Sequence, residues 1–298
     1  SLFVLLLHDG LWLSSGSGLF VVLAGLPWFY LFVESASVEI SVENSIRLDG
    51  QVVMVTGGTK GAGRGISIAY LAAGAKVVVC ARGEPETLPE VGGHVADFYA
   101  LDVGDIDAIS ACMAYVSKTY GRLDVLVNNA GGAPFADAAT ASPRFSEKII
   151  KLNLLAPLNL AQAANKIMRE QDTGGVILNI ASVSALRPSP GTAAYGAAKA
   201  GLVSLTQSLA VEWAPKVRMN AIAAGPILTE QAAMHFGDQA GIDAVHKTIP
   251  LQRMALPADM GHLCVMLSSP YGAYLNGACI EAHGGGERPA FLDAANVN

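Results

Sequence analysis

Charge of either sign is scarce in this chain. Asp, Glu, Lys and Arg together make up 15% of its 298 residues, against 52% hydrophobic residues. The net charge is -6 and no basic run occurs, so a polyanion-binding surface, and with it a nucleic-acid partner, is not expected. Cysteine is sparse as well: Cys80, Cys112, Cys264 and Cys279 show no CxxC or CxxH spacing. That pattern points away from a disulfide framework and from a zinc site, and six scattered histidines suggest no metal either. Structural thiols in a reducing compartment are the expected reading, which makes the cytoplasm the expected location. Repeats and low-complexity tracts are absent. The length fits one large α/β domain or two small ones.

The N-terminus lacks charge most of all. No Lys or Arg precedes Arg47, and Leu11 to Val33 is a run of 23 uncharged residues broken by Pro27. A helix of that length, at about 1.5 Å per residue, would span a bilayer. Against a span stand the helix-poor segment Ser14-Ser15-Gly16-Ser17-Gly18 and the missing basic flank. Three readings of residues 1–33 follow: membrane contact, an apolar arm packed on the body or on a neighbouring subunit, or a non-native extension. Residues 34–48 read as a polar, acidic linker, so 1–47 form an arm and linker and 48–298 the folded domain.

Within that domain, short apolar runs alternate with helical patterns. Strands are expected at 52–56, 76–80, 98–101, 125–128, 176–180, 218–223 and 279–282. Helices are expected at 63–73, 105–120, 143–169, from the Tyr195 region to 214, and at 257–267, with an irregular or helical insert at 229–249. Buried strands alternating with helices predict an α/β, doubly wound parallel sheet of the Rossmann-like kind in a single domain.

Between the first strand and its helix lies Thr56-Gly57-Gly58-Thr59-Lys60-Gly61-Ala62-Gly63. Glycines at that place let backbone approach a pyrophosphate, and a helix N-terminus adds free N–H groups and positive potential. The G-x-G-x-x-G pattern fails because Ile66 occupies the third position; T-G-x-x-x-G-x-G fits. A fold of this type that selects NAD places Asp or Glu after the second strand. Here the residues are Cys80-Ala81-Arg82. Arg82, with Lys60, offers charge-assisted bonds to a 2′-phosphate, so NADP(H) is expected over NAD(H). A solvated surface arginine is the alternative.

Tyr195 and Lys199 are four residues apart and so share one helix face. An ammonium beside a phenol lowers a pKa that is otherwise about 10 and fits Tyr195 for proton transfer. With Asp102-Val103, Asn128-Asn129-Ala130-Gly131, Asn153, Ser182 (thirteen residues before Tyr195) and Gly225-Pro226-Ile227-Leu228-Thr229, the chain resembles a short-chain dehydrogenase/reductase over about residues 48–288.

The resemblance implies an NADP(H)-dependent oxidoreductase acting on a small carbonyl or alcohol. Gly57, Gly61 and Gly63 would line the pyrophosphate, with Thr59 reaching a phosphate or the ribose. Asp102 would bond the adenine amino group, Val103 would lie beside the ring, and Asn129, Ala130 and Gly131 would pass under the adenosine ribose. Tyr195 would exchange a proton with the substrate oxygen, Ser182 would hydrogen-bond that oxygen, and Lys199 would lower the tyrosine pKa and bind the nicotinamide ribose. Asn153 would hold a water linking Lys199 to solvent, and Ile227 and Thr229 would contact the carboxamide. A homotetramer or homodimer through the Asn153 and Tyr195 helices is also implied, with the small surface of Ala197, Ala198, Ala200 and Gly201 suited to close packing. Ala62 and Ala224 stand where the family usually has a branched aliphatic residue and proline. The substrate walls are expected from 132–135, 184–190 and Met234, His235 and Phe236, a largely apolar lining. Arg187 could attract an acidic group, or be solvated. Two rival readings are a ketoacyl-thioester reductase with an acyl-carrier partner and a non-catalytic nucleotide-binding scaffold.

Overall fold

The computed structural model describes residues 46–287 and 289–290, with the backbone of 3–7, 10–15 and 18–22. Seven strands form one sheet: β1 Val52–Thr56, β2 Lys76–Ala81, β3 Asp97–Ala100, β4 Val125–Asn128, β5 Gly175–Ile180, β6 Val217–Ala224 and β7 Cys279–Ala282. Their order is β3-β2-β1-β4-β5-β6-β7, and every neighbouring pair is parallel. The winding direction reverses between β1 and β4. In such sheets a ligand crevice opens there, beyond the carboxyl ends of the strands.

The sequence dictates this sheet through continuous apolar runs buried on both faces. Successive side chains point to opposite sides. Val53, Val55, Val77 and Val79 pack with Ile66, Tyr70, Met260 and Cys264, which belong to α1 Gly61–Ala72 and α8 Pro257–Ser268. Val52, Met54, Val78 and Cys80 pack instead with Ile109, Cys112, Leu160 and Ala164, from α2 Ile106–Tyr120 and α4 Ala156–Met168. α1 and α8 meet at backbone distance: a Cβ on Gly261 would lie 2.6 Å from Ala69 Cβ and 2.7 Å from Gly65 O. The buried Tyr70 hydroxyl spans the same junction, 3.0 Å from Cys264 O and 2.7 Å from Ser268 Oγ. The four cysteines are free thiols.

One expected helix is divided. The helix expected over 143–169 is three pieces: α3 Pro143–Ile150, a π turn Lys151–Leu155, and α4. The insert is helical, as α6 Ala232–Phe236 and α7 Gln239–Thr248, which follow α5 Ala193–Trp213 in the chain. A two-stranded ribbon, Glu90–Val91 with His94–Val95, was not foreseen.

The described N-terminal residues form an antiparallel meander of Phe3–Leu7, Gly10–Ser15 and Gly18–Val22; residues 23–33 of the apolar run lie outside the described residues. Leu7 pairs with Gly10 and Ser15 with Gly18. No helix among the described residues is long and apolar enough to cross a membrane. Most of the expected linker, 34–45, lies outside the described residues.

Candidate active site

The glycine turn is built against the end of β4 by one threonine. Thr56 Oγ1 accepts the N–H groups of Asn129 and Ala130, each at 3.0 Å, and donates to Val127 O at 3.3 Å. Asn129 Nδ2 returns bonds of 2.9 Å to Thr56 O and 3.2 Å to Gly57 O. The ends of β1 and β4 are thereby fixed across the switch point. Gly57 and Gly61 take φ values of 62° and 50°, which an L side chain rarely adopts. A Cβ on Gly63 would lie 2.1 Å from Gly57 O, so only glycine permits this turn. Lys60, the N-cap of α1, makes no side-chain cap. Glu230 reaches the helix start instead, its Oε1 accepting the Gly61 N–H at 2.9 Å.

A cleft of about 730 Å³ opens above the turn. Every residue that the sequence nominates for the cofactor borders it, from Gly57 to Thr229, together with Ser182, Tyr195 and Lys199. Arg82 and Lys60 stand exposed at its rim. The neighbouring Arg64 is committed elsewhere, to Thr87 O and Leu88 O at 2.9 and 3.1 Å. Asp102 uses Oδ1 to accept the Gly104 N–H at 2.9 Å. Ile227 is set by a bridge to Ala255, and Thr229 Oγ1 accepts the Gln231 N–H at 3.3 Å.

Asn153 lies beneath the cleft, wholly buried. The π turn carries it, an irregularity often found at functional positions. Its Oδ1 accepts the Gly132 N–H at 2.9 Å, and its Nδ2 donates to Gly132 O at 3.0 Å and Ile149 O at 2.9 Å. The side chain therefore holds the Gly131–Gly132 backbone. A Cβ on Gly131 would lie 2.7 Å from Asn153 Oδ1 and 3.2 Å from Lys199 Nζ.

Ser182 lies two residues beyond β5 and caps a short 3-10 turn, Val183–Ala185, its Oγ accepting the Ser184 N–H at 3.2 Å. Lys199 is buried and donates from Nζ to Ile180 O at 2.7 Å. Its Nζ lies 5.6 Å from the Tyr195 ring centroid. Burial lowers the Lys199 pKa to about 8. Tyr195 moves the opposite way to the expectation: burial raises its pKa, while a hydrogen bond with Ser182 lowers it. Without a ligand, then, desolvation outweighs the help that the shared helix face promises.

A second cavity, of about 420 Å³, lies beside Val183, Pro226 and Phe236, and Phe236 borders both cavities. Arg187 at its edge is paired with Glu287 at 2.5 Å. Two expected wall residues turn outward: Phe135 and Met234 are each 80% exposed. The stripe on α5 also divides, for Ala198 is buried and Gly201 faces Leu154 within the chain, whereas Ala197 and Ala200 are exposed. The sequence reading missed Thr56, whose place just before the glycines was the available signal. It missed Glu230 too, whose bond joins residues 169 positions apart and left no local signal.

A family model described as "Enoyl-(Acyl carrier protein) reductase" matches residues 57–287. The chain is similar to the D-threitol dehydrogenase of Mycolicibacterium smegmatis, at 35% identity, with 83% of this chain and 96% of that protein covered. It is similar as well to the 2-dehydro-3-deoxy-D-gluconate 5-dehydrogenase of Escherichia coli, at 32% identity over 81% and 97% of the two chains. Among solved structures, a Beutenbergia cavernae protein described as a candidate NAD(P)-dependent gluconate 5-dehydrogenase, with NADP bound at low occupancy, superposes with a TM-score of 0.75. That match has 33% identity and covers 80% of this chain and 98% of the other. Sheet order, crevice and sequence similarity converge on one conclusion: this chain is an oxidoreductase of the short-chain dehydrogenase/reductase family.

Proposed function

We propose that the protein interconverts a ketone and a secondary alcohol with NADP(H), using Tyr195 as the acid and base. The observation that carries this reading is the gathering of Ser182, Tyr195 and Lys199 with the glycine turn around one cleft. The cleft fits a dinucleotide, since Gly63 and Gly131 stand where any side chain would collide with the turn or with Asn153. When bound, the cofactor supplies or accepts the hydride.

In reduction, the Tyr195 hydroxyl gives its proton to the carbonyl oxygen; in oxidation, the phenolate takes the alcohol proton. Ser182 hydrogen-bonds the same oxygen and stabilises the charge that develops there. Lys199, cationic at neutral pH, favours the phenolate and offers its remaining N–H groups to the nicotinamide ribose. Asn153 is a positioning residue that holds the Gly131–Gly132 backbone. Gly57, Gly61 and Gly63 line the pyrophosphate, with Thr59 beside it. Asp102, Val103, Asn129, Ala130 and Gly131 hold the adenosine half, and Ile227 and Thr229 the carboxamide.

Arg82 and Lys60 at the rim, with no carboxylate at the end of β2, support NADP(H) over NAD(H). The described relatives favour hydroxylated substrates by their names, threitol and gluconate derivatives. We extend that class to this chain. An acyl-carrier thioester is the second reading, favoured by the description of the family model. Arg187, however, is neutralised by Glu287 beside the second cavity, which removes a cation that an acidic carrier would use. A substrate panel of polyols, sugar acids, simple ketones and 3-oxoacyl thioesters, run with each cofactor, tests the proposal. Turnover of a hydroxylated alcohol or ketone with NADP(H) is expected, and turnover of the thioester alone would replace it with the second reading. Arg82→Ala should weaken NADPH binding far more than NADH binding.

A further inference from the structure

The start of α1 is already holding an anion. Its first helical N–H, that of Gly61, is one of the unpaired donors that any helix N-terminus exposes, and it points to Glu230 Oε1 at 2.9 Å. Lys60 at the N-cap supplies no side-chain acceptor. Glu230 thus caps the helix from the segment between β6 and α6, and both Gly61 and Glu230 border the large cleft. A dinucleotide pyrophosphate would approach the same helix start for the same reasons, namely free N–H groups and the positive end of the helix dipole.

We propose that Glu230 is a built-in competitor for the pyrophosphate seat, a carboxylate that the cofactor must displace from the Gly61 N–H. The inference rests on the cofactor reading above and adds to it a residue that sets cofactor affinity. A carboxylate and a pyrophosphate at one N–H repel each other, which opposes joint occupancy. Removing the Glu230 charge while keeping its shape therefore tightens cofactor binding. Reversing the charge tightens it further. Because Glu230 acts at the pyrophosphate, a ligand confined to the adenosine end is indifferent to it.

The test is equilibrium binding of NADPH and of adenosine 2′-monophosphate to this 298-residue chain, its Glu230→Gln variant and its Glu230→Lys variant. Thermal melts establish that each is folded. The expected result is NADPH binding about five-fold tighter in Glu230→Gln than in wild type, and tighter again in Glu230→Lys. Adenosine 2′-monophosphate binding stays unchanged in Glu230→Gln, and the NADPH gain shrinks as salt is raised. Equal or weaker NADPH binding in Glu230→Gln overturns the inference while leaving the cofactor reading in place. So does an equal gain for both ligands, which would be a general field effect. Absence of NADPH binding to all three proteins overturns the cofactor reading itself, and the inference with it.

Discussion

The Lys199 ammonium lies 5.6 Å from the centre of the Tyr195 ring, and its hydrogen bond goes to Ile180 O at 2.7 Å. The two residues share the face of α5 that their spacing requires, yet each pays for burial separately: the lysine pKa falls to about 8 and the tyrosine pKa rises. Bound ligands that exclude water and supply acceptors would act on a pair already close together.

This burial has a consequence for stability with a definite sign. Lys199 has a folded pKa of about 8 against an ordinary 10.5. Between these values the unfolded chain binds more protons than the folded one, so this group's contribution becomes more favourable as pH rises through the window. Below about 8 both states carry the charge and its burial costs the full amount. Denaturant unfolding of wild type and Lys199→Met across the pH range checks this. Wild type should gain on the variant by on the order of 2–3 kcal/mol from pH 8 to 10.5. A flat difference would mean that the ammonium is better solvated than the structure shows.

Asn153→Ala removes a buried amide that makes three hydrogen bonds, leaving Gly132 and Ile149 groups without partners. A stability loss on the order of 2–3 kcal/mol is expected, read as a lower denaturant midpoint at an unchanged slope. Turnover should fall as well, because the Gly131–Gly132 backbone would no longer be held. Full stability in the variant would mean that the π turn stands without this side chain.

Gly63→Ala places a methyl 2.1 Å from Gly57 O, and the turn has to open. Cofactor binding should drop below detection, with a stability cost of about 1–3 kcal/mol. Gly83→Ala is the matched control, since a Cβ there meets nothing within 4 Å. Calorimetric titration with NADPH separates the two, and equal binding by both variants would show that the turn does not carry the pyrophosphate.

The parts of the fold visible in the sequence were those with local causes. Val52–Thr56 and Val125–Asn128 are apolar runs bounded by turn residues, and the structure places strands at those bounds. The glycine turn showed itself because tight backbone admits few residue types. The π turn at Asn153 stayed hidden: one extra residue per turn barely disturbs the apolar pattern of 143–169, and what stabilises it is the contact with Gly132, twenty-one residues away. In the uncharged stretch from Leu11, the described residues up to Val22 are strand, and composition alone does not separate strand from helix there. The Tyr195 pKa was misjudged because spacing reports proximity and says nothing of desolvation.

The most direct test of the account compares wild type with Tyr195→Phe, following NADPH oxidation with a ketone that wild type reduces. The phenol lies in the cleft beside Ser182, and losing its hydroxyl removes the proposed proton donor. A fall in kcat of about 10²- to 10⁴-fold with unchanged NADPH affinity is expected. Equal turnover by the two proteins would contradict the mechanism.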